Sequence, residues 1–235
     1  MHTNAADWPS SGLEESVLAA DPHDQFERWM ADVVKAGLPE PTAMVLATVS
    51  AAGQPRARTV LLKNHDRDGF AFYTNRTSRK GTDLDQVPRA SLLFPWHPIH
   101  RQVIVEGAVT PLSQAASEPY FHSRPRASQL AAWASRQSAV IRSRAELDDR
   151  YLRMEERWPP GEEVPLPEFW GGYLVNPHVI EFWHGRANRM HDRLRYTRTD
   201  GASGEFRAVP PGQPSGGVRG VVPPGQHWAI ERLAP

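Results

Sequence analysis

Between residues 43 and 112 the chain packs five segments rich in β-branched and aromatic side chains: "AMVLATVS", "RARTVLLK", "FAFYTN", "ASLLFPW" and "RQVIVEGAV". Nothing else in the sequence limits the fold as much. Polar turns separate several of them, and "AAGQP" and "NHDRDG" read as hairpin connections. Strands joined in this way pair antiparallel with their sequence neighbours. A parallel nucleotide-binding sheet needs a helical crossover between strands, so the run argues for a barrel or a sandwich. One short helix near residues 79–87, closed by Pro88, interrupts it.

Helical patterns flank the strands. Asp21 can cap a helix, Pro22 fits its first turn and Gly37 ends it. Phe26, Trp29, Met30, Val33 and Val34 recur at helical spacing, so this helix covers the core with one face. Further helices are expected in "SQAASEPYFHS", "ASQLAAWASRQS" and "RAELDDRYLRMEERW". After the link "PPGEEVPLP", strands return in "FWGGYLVN", "HVIEFWHG", "HDRLRYTR" and "HWAIERL". Residues 1–20 show no periodicity and read as a mobile N-terminal arm. Residues 21–235 then form a single α+β domain, a β-barrel with surrounding helices. A Gly- and Pro-rich loop at about 200–226 reads as a long surface excursion between paired strands.

Several functions lack their signatures. Lys plus Arg total 27, as do Asp plus Glu, so no net field favours nucleic acid or a membrane surface. There is no cysteine, which removes disulfides and thiolate chemistry. No apolar run reaches the roughly 18 residues of a membrane span, and no signal pattern opens the chain, so a cytoplasmic protein is expected. The glycine patterns of dinucleotide and P-loop sites are absent. His97 and His100 have no evident third ligand and read as turn histidines, so no metal is expected.

What remains is a set of cation clusters. "GRANRMHDR" gathers Arg186, Arg189, His191 and Arg193; if extended, Arg189, His191 and Arg193 share one face. "RTVLLK" runs from Arg58 to Lys63, and "YTNRTSRKG" sets Arg79 and Lys80 at a helix start, where backbone N–H groups can bind an anion. "YFHSRPRAS" offers Tyr120, Arg124 and Ser128, a cation and two hydroxyls fit for a phosphate. The chain has three lysines, and Lys63 and Lys80 both fall in these clusters. Each cluster alone reads equally as solvated surface charge. Together they hold more cations than one phosphate requires.

Six blocks, "RTVLLK", "FYTNRTSRKG", "SLLFPWHPIHRQVIVEG", "YFHSRPRASQLAAWASRQS", "VPLPEFWGGY" and "IEFWHGRANRMHDRLRY", with the ending "ERLAP", resemble the pyridoxamine 5′-phosphate oxidase family. The likeness covers roughly residues 21–200 and the last eight. It implies an FMN-binding split β-barrel acting as a homodimer. The reaction it implies is oxidation of pyridoxamine or pyridoxine 5′-phosphate to pyridoxal 5′-phosphate, with O2 as acceptor and H2O2 as product. Two phosphates, one on FMN and one on the vitamer, would account for the surplus of cations.

By matching motif, Arg58, Arg79 and Lys80 are expected at the FMN phosphate, with Thr59, Val60, Leu61, Tyr73 and Thr74 beside the flavin. Gln102, Gln137, Ser138, Trp183 and Arg193 match further FMN contacts, some supplied by a partner subunit. Lys63, Tyr120, Arg124 and Ser128 match the grip on the substrate phosphate, and Arg189 and His191 the catalytic groups against the substrate ring. One departure concerns "GLEESVLAADP", where Glu14 and Glu15 stand in a stretch that often bears arginines in the family. Two alternatives share the scaffold: another flavin- or deazaflavin-dependent oxidoreductase, and a non-enzymatic flavin-binding protein. "SRPRAS" together with "NRMHDR" argues against the first, and Arg189 with His191 against the second.

Overall fold

A computed structural model describes residues 12–199 and 227–235. The first long helix, α1 (Pro22–Lys35), begins where Asp21 accepts the His23 N–H and ends before Gly37, whose φ is 68°. The hairpins then follow as β1 (Ala43–Val49), β2 (Pro55–Leu61), β3 (Asn64–Asp66) and β4 (Gly69–Asn75). Helix α2 (Arg79–Gln86) leads to β5 (Arg89–Trp96) and β6 (Arg101–Pro111). Helices α3 (Gln114–Ser123), α4 (Arg126–Ala134) and α5 (Arg144–Arg157) precede β7 (Trp170–His184), β8 (Asp192–Arg198) and β9 (Trp228–Leu233).

All pairings are antiparallel, in the order β2-β1-β5-β6-β7-β4-β3, with β8 on β7 and β9 on β8. The sheet curls into a split barrel. Its division comes from β7, which was expected as two strands and is one of 15 residues. Along one edge β7 pairs first with β4, through Val175, and then with β8, from Val179. Pro177 falls in the gap between these partners, opposite a bulge at Glu106/Gly107, where a missing N–H disturbs little. Gly107 is needed there, since a Cβ would lie 2.2 Å from the Asn176 carbonyl oxygen.

Helix α1 fills one face of the sheet. The Phe26 ring meets Phe94 at 4.9 Å and Phe70 at 5.0 Å, and Trp29 meets Phe182 edge-on at 5.1 Å. Each such side chain contributes roughly 1.5–3 kcal/mol by leaving water. Val33 is buried, whereas its neighbour Val34 is exposed, because adjacent helical positions point about 100° apart and one stripe cannot take both. A second apolar cluster, Phe121, Leu130, Trp158, Val164 and Trp170, fastens α3, α4 and α5 to the start of β7.

Three local features stand beside the sequence reading. Residues 185–193 are not extended up to β8: a 3₁₀ turn at Ala187–Arg189 intervenes, with Asn188 (φ 58°) and Arg189 (φ 61°) left-handed. Side chains there do not alternate as on a strand. The helix expected through Ser138 ends at Ala134, and Ser138 itself takes a φ of 73°. Of the N-terminal arm, residues 12–20 are packed on the body: Leu13 is buried and its N–H reaches Asp192 at 2.9 Å. The rest of that arm and the 200–226 loop lie outside the described residues.

Candidate active site

Strands β2 and β4, the start of α2, the α3–α4 corner and the segment after α4 enclose a cavity of about 1020 Å³. Arg56, Arg58, Lys63, Arg79, Lys80 and Arg124 line it, and among the described residues no carboxylate does. Cations gathered on one wall repel one another, an arrangement that a bound anion would relieve.

At one end the cations are held by neutral or shared partners. The Lys80 ammonium, on a residue only 8% exposed, donates to Gln137 Oε1 at 2.7 Å, Thr74 Oγ1 at 3.1 Å and Ser78 Oγ at 3.3 Å. Burial, reinforced by the charge of Arg58, pushes its pKa down to about 8. Arg58 donates to the Leu46 carbonyl at 3.0 Å and to Thr48 Oγ1 at 2.8 Å, and lies 3.8 Å from Asp83. Asp83 is buried, pairs with Arg56 and accepts from Thr48 at 2.8 Å, so one acid serves two arginines.

The free N–H groups expected at the start of α2 are partly taken. The Arg79 N–H donates to Ser138 Oγ at 3.2 Å and the Gly81 N–H to Ser78 Oγ at 3.5 Å. Anion recognition here rests chiefly on side chains. Gly81 permits the tight helix entry, since a Cβ would sit 1.9 Å from the Arg76 carbonyl oxygen.

Aromatic rings build the other end. Tyr73 and Tyr120 stack at 4.2 Å, and Tyr120 and Trp170 at 6.1 Å. Lys63 Nζ lies 5.8 Å from the Tyr120 ring centre, and the Arg124 guanidinium 4.8 Å from that of Trp170. Burial lowers the Arg124 pKa, and its Nη1 is buried with no hydrogen-bond partner among the described residues. An N–H left so costs about 1–3 kcal/mol or more, which an anion would offset.

The cavity thus gathers Arg58, Thr59, Val60, Leu61, Lys63, Tyr73, Thr74, Arg79, Lys80, Tyr120, Arg124, Gln137 and Ser138. Ser128 is not on its wall; it sits in the first turn of α4, its N–H bound to the Pro125 carbonyl at 2.8 Å. Gln102, Trp183, Arg189, His191 and Arg193 do not line it either. They form a second group, in which Gln102, Trp183 and Arg193 are register neighbours across β6, β7 and β8. Arg193 grips Glu181 with two bonds, 2.8 and 3.1 Å. The His191 ring lies 4.7 Å from Trp183, and its Nδ1 accepts the Arg186 N–H at 3.0 Å. An imidazole accepting at Nδ1 carries its proton on Nε2. Arg189 is exposed on its left-handed turn.

Sequence reading missed Arg56, Trp170 and Asp83. Arg56 could have been found two residues before Arg58, on the same strand face. Trp170 and Asp83 carry no local signal, since their roles depend on segments distant in the chain.

Residues 30–157 match the family model described as pyridoxamine 5′-phosphate oxidase, and residues 170–235 that of the pyridoxine 5′-phosphate oxidase C-terminal dimerisation region. A pyridoxine/pyridoxamine 5′-phosphate oxidase from Bordetella pertussis is 54% identical over 223 residues, covering 95% of this chain and 93% of its own. One from a Nocardioides species is 52% identical over 229 residues, covering 97% and 95%. Among solved structures, PhzG from Burkholderia lata, in complex with tetrahydrophenazine-1-carboxylic acid, superposes with a TM-score of 0.78 at 27% identity, covering 95% and 98%. A pyridoxamine 5′-phosphate oxidase-related, FMN binding protein from Nostoc punctiforme gives 0.65 at 17% identity, covering 93% and 100%, a likeness of fold.

Proposed function

This chain belongs to the pyridoxamine 5′-phosphate oxidase family, and from that premise we propose that it oxidises pyridoxamine and pyridoxine 5′-phosphate to pyridoxal 5′-phosphate, using FMN and O2 and releasing H2O2, the amine substrate also taking up water and releasing ammonia. One observation carries this reading. The cavity holds cations in two groups, Arg58 with Arg79 and Lys80, and Lys63 with Arg124, and no carboxylate lines it among the described residues. Two phosphate esters would balance them.

The residues suit FMN. Lys80, buried with no acid partner among the described residues, and Arg58 and Arg79 would hold its phosphate; Thr59, Val60, Leu61, Tyr73, Thr74, Gln137 and Ser138 would hold the rest. When bound, FMN supplies the two-electron acceptor, which O2 regenerates with release of H2O2. The chain's own contribution is binding and orientation. Lys63 and Arg124 grip the vitamer phosphate, and this remote contact steadies the reacting end of the substrate. The Tyr73–Tyr120–Trp170 stack keeps water from that side. Arg189 and His191 hold the substrate ring, with His191 offering its Nε2 proton as a donor. They lie outside the cavity wall of one chain, so a second copy completes the site, in keeping with the dimerisation region matched at residues 170–235.

The test is direct. Purified protein given FMN should turn yellow and, in air, convert either vitamer phosphate to an aldehyde with peroxide formed. A protein that takes up no flavin, or that oxidises a reduced phenazine carboxylate and neither vitamer, would overturn the reading.

A further inference from the structure

Asp192 lies between His191 and Arg193 in sequence and is buried. Its carboxylate accepts from the Leu13 N–H at 2.9 Å, Arg232 Nη1 at 2.6 Å and Arg186 Nη1 at 3.5 Å. Three separate segments meet on this one group: the N-terminal stretch, the last strand β9, and the turn that leads into β8. Arg232 extends the network, donating to both carboxylate oxygens of Glu15 at 2.8 Å and to the Leu13 carbonyl at 2.9 Å. The N-terminal stretch is fitted closely to it. A Cβ on Gly12 would lie 2.4 Å from Arg186 Nη1 and 2.6 Å from Asp192 Oδ2.

The turn needs such an anchor. Asn188 and Arg189 are both left-handed, a conformation that arginine holds only when its surroundings impose it. Arg186, two residues before Asn188, is fixed by Asp192, and the Arg186 N–H fixes His191. Both ends of the turn are therefore referred to one carboxylate.

We propose that Asp192 is a positioning residue that, with Arg232 and the strap of residues 12–15, holds the 186–191 turn in the geometry that presents Arg189 and His191 to the substrate. The proposal rests on the reading that those two residues face the vitamer. It makes the N-terminal segment part of the catalytic apparatus without touching the reacting atoms.

The experiment uses full-length, FMN-loaded protein with pyridoxine 5′-phosphate. Asp192→Asn should lower kcat/KM about tenfold or more, as a small misplacement of an aligned group does, while the FMN dissociation constant stays within about twofold. Added to a variant that already carries Arg189→Ala and His191→Ala, it should lower turnover by less than about twofold, because both positioned groups are already gone. Gly12→Val should reproduce the loss with the carboxylate intact, and Glu15→Gln, on the exposed side of the network, carries the test if Asp192→Asn does not fold. An unchanged kcat/KM in the soluble variants, a parallel loss of flavin affinity, or full additivity with the combined Arg189→Ala and His191→Ala changes would overturn the proposal alone. Wild-type protein that oxidises neither vitamer would overturn the functional reading and this proposal with it.

Discussion

The cavity wall and the 185–193 turn both collect arginines, and they differ in where the opposing charge comes from. Around the turn the chain supplies it: Asp192 answers Arg186 and Arg232, and Glu181 answers Arg193. In the cavity Asp83 serves Arg56 and Arg58, while Lys63, Arg79, Lys80 and Arg124 have no ion pair among the described residues. Internally paired arginines are already oriented and fix geometry. Unpaired ones, partly desolvated, gain most from a bound anion. A chain of zero net charge can thus hold a strongly cationic site, because the balance is kept elsewhere in the fold.

The largest expected effect falls on the exception to this division. Arg189 belongs to the turn, is exposed and has no ion pair among the described residues, and in the proposed function it faces the substrate. Arg189→Ala should cut turnover about a hundredfold, the scale of losing a charged donor at a reacting centre, and leave flavin retention unchanged in a spectrophotometric binding assay. Undiminished turnover would break the comparison, placing Arg189 with the structural arginines.

Next comes Lys80. Lys80→Met should weaken FMN binding roughly ten- to hundredfold by fluorescence titration, the worth of a charged hydrogen bond. The wild type should also show a pH dependence. Its ammonium is charged below its pKa of about 8 in the flavin-free protein, so FMN affinity should be steady below that pH and fall above it. Lys80→Met should abolish this fall.

The smallest effect separates both regions from the fold's own titration. His23 Nδ1 and His65 Nε2 lie 3.0 Å apart beneath α1, and burial pushes the His23 pKa down to about 4 from 6.5. A depressed pKa means that the unfolded chain binds the proton more readily. Its contribution is therefore full above pH 6.5 and is lost as the pH falls through about 4. Denaturant midpoints measured across this window should decline in the wild type and decline less in His23→Phe. An equal slope in both would assign acid lability elsewhere.

Much of this was legible in the sequence because its causes are local. Alternating strands with polar turns gave the β1–β2 hairpin, and Asp21, Pro22 and Gly37 bounded α1 as read. The run of β7 through Pro177 was not legible, since proline is tolerated there only because β4 stops and β8 begins around it. The turn before β8 was not legible for a different reason. Asn188 carries a left-handed signal, but Arg189 does not, and its conformation is imposed from outside. The occupied N–H at α2 likewise depends on Ser138, 59 residues away. The cavity cations other than Arg56 were visible; which of them had acid partners was decided by tertiary structure.

The central claim is that unpaired cavity cations grip a phosphate on the substrate as well as one on the cofactor. It is tested most directly by comparing kcat/KM for pyridoxamine 5′-phosphate and for pyridoxamine in the wild type and in Arg124→Ala. A strong preference for the phosphate ester in the wild type, falling about tenfold or more in Arg124→Ala while the activity on pyridoxamine stays unchanged, is the predicted result. Equal use of both substrates by the wild type, or a preference that survives the loss of Arg124, would contradict it.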